Sequence, residues 1–254
     1  SGNGNDFTSS GLASTDVVTD SPTNNFCTLN RLNEFASRGY MSLSEGNLKS
    51  TASGSPNQNR GWKSTFAMSS GKWYWEVYFN SSSSDNNGGI GVSGSTNNNI
   101  TPGEGNDSGF RYMDFGDLVF NGSNQGTIQS ISATDIVMVA VDIDNSKAWV
   151  GKNGSWFSSG NPSSGSNALT TSVPSEAFAT SYHYSTGAVM TFNFGADSTF
   201  AGVVSAGTNS DANNIGSFKY SVPTNFLALC ASNLPDSTIS PNSSNGTADE
   251  FFNT

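Results

Sequence analysis

A carboxylate pair, a single histidine, two thiols and an acidic loop are the groups in this sequence that could do chemistry. Asp142 and Asp144 stand two apart, so both side chains could share one face of a strand. Glycoside hydrolysis needs two carboxylates set across one sugar, and no Glu-x-Asp-x-x-Glu or similar cluster is present. The segment Asp142-Ile-Asp-Asn-Ser-Lys147 instead joins two apolar runs, the setting in which Asp and Asn cap the backbone amides of a turn. Glu76 lies between Trp75 and Val77, where a strand carboxylate pairs with a backbone amide or a cation. Any Ser-His-Asp or Cys-His mechanism must run through His183, yet no Gly-x-Ser-x-Gly elbow accompanies it. Glu104, Asn106 and Asp107, with Asp114 and Asp117 further on, could offer oxygens to calcium but lack EF-hand spacing, and a solvated acidic loop is the plainer reading. Gly103-Glu-Gly105 does not follow a strand and open a helix, so nucleotide binding has no support. The sequence therefore predicts no catalytic residue, no metal and no cofactor.

Residues suited to binding are easier to find. Tyr182-His183-Tyr184 falls between a strand over 177–181 and another beginning near Ala188, which predicts a loop tip with two exposed aromatics, the type favoured at contact surfaces. Packing of both tyrosines on the sheet edge is the alternative. Arg60 and Trp62 offer a cation and a ring that could stack. Cys27 and Cys230 sit in the first and last strand-like runs, neighbours in many sandwiches, so one disulfide could join them; two buried free thiols are the alternative.

The elements that must position these groups are strands. Apolar residues at helical spacing do not persist beyond a turn, and the one candidate, Leu29 to Ala36, reads as a loop or short turn. Strand signals recur at 72–79, 89–92, 135–142, 147–150, 188–194 and 226–230, rich in β-branched and aromatic residues. Within 73–79, alternation sends Trp73, Trp75, Val77 and Phe79 to the core and Tyr74, Glu76 and Tyr78 to the other face. The 142–147 turn and the Asn153-Gly154 pair predict an antiparallel meander. Residues 80–88, 93–109 and 158–172 read as long polar loops, and no helix is available to cover parallel crossovers. The expected fold class is an all-β antiparallel sandwich. Residues 1–6 read as a linker start, 7–234 as one domain, and 235–254 as a linker towards a further module.

Composition narrows the partners. Only 12% of residues are charged and the net charge is -10, which excludes polyanions, since nucleic-acid affinity rests on Lys and Arg. No run of about 18 or more apolar residues predicts membrane insertion. The segment Ser1–Ser10 has neither the basic nor the apolar stretch of a signal peptide. An aromatic content of 11% argues for a packed core over disorder.

Several of these motifs occur together in one family. Ser70-Gly-Lys-Trp-Tyr-Trp-Glu-Val77 resembles the SPRY signature, in which a Gly turn leads into a Trp-Glu-Val strand; Gly89-Ile-Gly-Val92 resembles the next strand. The stretch from Asp135 to Gly154 is similar to the family's central hairpin, and Phe178–Ser181 and Val189–Gly195 to its last paired strands. Thr19–Asn30 and Asn225–Pro235 resemble the flanks of SPRY-containing bacteriophage structural proteins. The resemblance implies a bent, concanavalin-like sandwich that binds protein segments or sugars at loops along one edge. Here those loops are Gly54–Trp62, Ser93–Gly105 with Asn97, Asn98 and Asn99, and the segment around Tyr182. It further implies a virion protein made in the host cytoplasm. Its partners would be a host surface glycan or protein, or neighbouring virion proteins, with self-association left open. A purely structural decoration role and, third, a depolymerase are the competing functions.

Overall fold

A computed structural model of the chain describes residues 24–36, 40–54, 58–81, 88–94, 101–104 and 107–235. Its strands are β1 (Leu29–Ala36), β2 (Met41–Ser44), β3 (Lys49–Ala52), β4 (Arg60–Met68), β5 (Lys72–Ser81), β6 (Gly88–Ser93), β7 (Phe110–Met113), β8 (Asp117–Phe120), β9 (Ser123–Thr127), β10 (Ile136–Asp142), β11 (Lys147–Lys152), β12 (Ser155–Trp156), β13 (Ala177–His183), β14 (Val189–Asn193) and β15 (Leu227–Ala228). They form two sheets, ordered β1-β4-β13-β6-β7-β8-β9 and β12-β11-β10-β5-β14-β3-β2. Pairing is antiparallel throughout, apart from β15, which runs parallel to the start of β5. An apolar core lies between the sheets. Among the described residues no helix is long and apolar enough to cross a membrane.

The meander forms as the sequence predicts. Asp142 caps the β10–β11 turn by accepting from the Asn145 amide and side chain, while Asp144 accepts from the Gly71 amide. Both carboxylates are thus used as turn caps, and Asp142 also pairs with Lys72. At the next turn Asn153 and Gly154 both take left-handed torsions, φ 50° and 86°, as a two-residue hairpin between right-twisted strands requires.

Leu29–Ala36 is an edge strand, not the loop or short turn expected. Its pairing with β4 slips between Leu29 and Glu34, so the polar bulge breaks the alternation that would have marked a strand. The cysteine neighbourhood is as expected, but no disulfide joins the pair. Phe26 pairs with Cys230, and the Cys27 amide donates to the Leu229 carbonyl, so the runs are adjacent. Successive side chains leave a strand on opposite faces. Cys27 and Leu229 enter the inter-sheet core, Phe26 and Cys230 the layer outside it, and both thiols are buried and free.

β5 sits inside its sheet between β10 and β14. Trp73, Trp75, Val77 and Phe79 face the core as predicted. The opposite face is covered too: Tyr74 packs with Phe218 and Phe226, and Tyr78 with Phe200, all from the irregular segment after β14. Glu76, between these two tyrosines, has no solvent exposure. Its carboxylate accepts the backbone amides of Lys219 and Tyr220, each at 2.8 Å, and the Tyr74 hydroxyl at 2.9 Å. Burial pushes its pKa up, against the pull of these donors. The strand carboxylate thus pairs with backbone amides and fastens a second layer onto the sheet.

Glu76→Ala would leave two half-buried amides without their acceptor. We expect it to lower unfolding free energy by on the order of 3 kcal/mol in urea titrations; a change within error would show that aromatic packing alone holds the layer.

Candidate functional site

The outer face of the seven-stranded sheet carries a row of side chains set by register. Phe35 stands opposite Gly61, Tyr182 opposite Gly89, and Gly89 opposite Met113. Phe35, Tyr182 and Met113 form an apolar cluster separate from the core, with Phe115 and Tyr184 packed against it. A Cβ on Gly61 would lie 2.3 Å from the Phe35 ring, so a glycine there lets the ring lie across the strand.

Above this row four polar or aromatic side chains close into a circuit. The Tyr182 hydroxyl donates to Asn59 Oδ1 at 2.6 Å, and Asn59 Nδ2 donates to Glu104 Oε2 at 3.3 Å. Arg111 Nη2 pairs with Glu104 Oε1, and its guanidinium lies 5.1 Å from the centre of the Tyr182 ring. Arg111 Nη1 also donates to the Pro102 carbonyl. Burial pushes the Tyr182 pKa up, with Arg111 pulling the other way, so the hydroxyl stays a donor. The circuit forms one wall of a cleft of about 410 Å³, whose other lining includes Met113, Phe115, Asp117, Asn124 and Tyr184. That volume falls within the usual small-ligand range of roughly 300–1,000 Å³.

His183, one residue along β13, faces the other way. Its Nε2 lies 2.7 Å from Ser50 Oγ of β3, in the opposite sheet, and both residues are fully buried. The pair has the composition of a nucleophile and base but not the properties. Burial, with Arg60 adding to it, lowers the histidine pKa from 6.5 to about 3, so the ring has little capacity to take a serine proton at neutral pH. The imidazole Nδ1 has no partner among the described residues, where an orienting carboxylate would be needed.

No family model matches the chain, and no curated protein matches it. Solved structures do. The SPRY domain of human HERC1 matches at 17% identity with a TM-score of 0.52, covering 65% of this chain and 96% of that one. The fold is the SPRY sandwich. Another human SPRY domain matches at 12% identity and TM-score 0.46, covering 61% and 94% of the two chains. A stonustoxin structure matches at 17% identity and TM-score 0.47, covering 66% of this chain and 27% of that one.

In this SPRY sandwich the residues expected at a loop tip separate. Tyr182 and His183 belong to β13, which runs on to His183, and both are buried; Tyr184 is half-buried at the cleft. Tyr182 packs in a small apolar cluster on the outer face of an interior strand, neither at a loop tip nor at the sheet edge. Arg60 and Trp62 are buried in β4, Trp62 within the inter-sheet core, so neither is exposed. The guanidinium that covers a ring is that of Arg111, and the ring is Tyr182. Asn97, Asn98 and Asn99 lie outside the described residues, as does Asn106. The remaining carboxylates of the calcium reading are employed separately. Asp107 accepts the Gly94 and Gly103 amides, Asp114 the Gly88 amide, and Asp117 the side chains of Asn124 and Thr127. No group of three metal-ligating side chains occurs among the described residues. Sequence reasoning missed Arg111, Asn59 and Phe115; the available signal was one cation, Arg111, inside the apolar run Phe110-Arg-Tyr-Met113, since buried charges come paired.

A histidine held neutral makes stability depend on pH. Between about pH 6.5 and about 3 the unfolded chain binds a proton that the folded one refuses, so this contribution falls as pH falls. Urea titrations from neutral pH towards pH 5 should show a slope that His183→Gln reduces; equal slopes in both proteins would contradict the buried neutral imidazole.

Proposed function

We propose that the chain is a non-enzymatic binding module of a phage virion protein that captures a host surface glycan or protein in the cleft beside Tyr184. The observation that carries this reading is the closed circuit Tyr182–Asn59–Glu104–Arg111, a prearranged polar wall over an apolar floor. Rigid support of this kind lowers the ordering cost of binding. The cleft draws on Asn59, Glu104, Tyr182 and Tyr184, which fall in the three segments where the sequence resemblance puts the binding edge, and on β7 beside them. The buried Ser50–His183 pair and the turn-capping use of Asp142 and Asp144 support a role without turnover. The phage setting rests on the likeness of the flanking segments to virion proteins, and the net charge of -10 directs the module away from polyanions.

Binding to host cells or their surface extracts tests the site through its half-buried rings. Tyr184→Ala and Phe115→Ala should each weaken binding by about tenfold or more while leaving the melting temperature near that of the parent. Tyr182 is unsuited to this test, because its truncation opens a hole in a packed cluster. Undiminished binding by both variants would remove the cleft from the reading, and binding to neighbouring virion proteins alone would favour the decoration role.

A further inference from the structure

Resting on the cleft as the binding site, we infer that its ligand is an uncharged, hydroxyl-rich molecule of the saccharide class. The cleft lining includes the carboxylates of Glu104 and Asp117 and the guanidinium of Arg111. Arg111 is already paired with Glu104, and Asp117 accepts only from the neutral side chains of Asn124 and Thr127. An anionic ligand would therefore meet a neutralised cation and an uncompensated carboxylate. A cationic ligand meets the opposite obstacle. Both Glu104 oxygens accept bonds, from Arg111 and Asn59, both Asp117 oxygens do so from Asn124 and Thr127, and the guanidinium in the same lining repels a second cation.

The hydrogen-bonding capacity left over suits hydroxyl groups. The Tyr184 hydroxyl stands in the cleft lining with no hydrogen bond among the described residues, and it can both donate and accept. Each carboxylate oxygen retains a second lone pair that can accept from a hydroxyl. Phe115 and Tyr184 supply half-buried rings for the apolar face of a sugar, and each is amphipathic or apolar in the required sense. Donors, acceptors and ring faces thus coexist in the cleft, and the one carboxylate without a cation, Asp117, has both oxygens already engaged by neutral side chains.

The test is titration of the whole chain with three sets of probes: neutral oligosaccharides, sulfated or uronic-acid oligosaccharides, and lysine-rich peptides. Each set is measured at about 0.05 and 0.5 M salt, with Tyr184→Ala and Phe115→Ala alongside and melting curves as a check on folding. The expected result is binding of a neutral oligosaccharide, unchanged by salt within about twofold and weakened about tenfold or more by either variant. Cleft-dependent binding confined to acidic or basic probes, and falling steeply with salt, would overturn this inference while leaving the cleft as the site. Binding that neither variant weakens would overturn both. Failure of every probe to bind, with host-surface binding still sensitive to Tyr184→Ala, would also overturn the saccharide assignment and leave the cleft standing.

Discussion

A single carboxylate in the middle of β5 settles which faces of this sandwich remain free. Glu76 is buried on the outer side of its sheet, where an unpaired charge would be prohibitive, and two backbone amides and a hydroxyl compensate it. Those amides belong to Lys219 and Tyr220, so the same bonds draw the irregular segment after β14 across Tyr74 and Tyr78. Further carboxylates hold that segment in shape: Asp211 accepts from Asn213, Ile215 and Ala228, and Asp197 from Thr199 and Ala201. With this face of the eight-stranded sheet covered, the outer face of the seven-stranded sheet still carries an open cleft.

On that second face, position along β13 decides the chemistry. Tyr182 and His183 are adjacent in sequence and on opposite sides of a sheet. The inward residue meets Ser50 in a dry interior that keeps it neutral; the outward one becomes the ring beneath Arg111 and the donor to Asn59. Arg111 is set two residues from Met113 on the same face of β7, which brings its charge over the apolar row. The cleft is therefore a product of register, and its polar wall is paired internally before any ligand arrives.

Much of this was legible in the sequence where local rules and tertiary packing agree. The alternation of 73–79, the capped turn at 142–147 and the Asn153-Gly154 turn all formed as read. Legibility failed where tertiary context overrides local pattern. β1 hides behind a bulge, β9 is exposed at every position, and β7 is buried at every position, so none of the three alternates. The second layer is invisible to periodicity because most of it is turns fastened by side chains. The Tyr182 segment looked like a loop because its polar neighbours, Ser181 and His183, are buried partners of Ser50 and not solvent-facing residues. Arg111 and Glu104, seven residues apart in different elements, become a pair only once β7 is in place.

The most direct measurement is a crystal structure of the chain with its captured ligand. Electron density in contact with Phe115, Tyr184 and Arg111, with the Glu76-fastened layer unchanged, is the expected result. Ligand bound over residues 196–234, or at the edge formed by β2 or β12, would contradict the assignment of the open face.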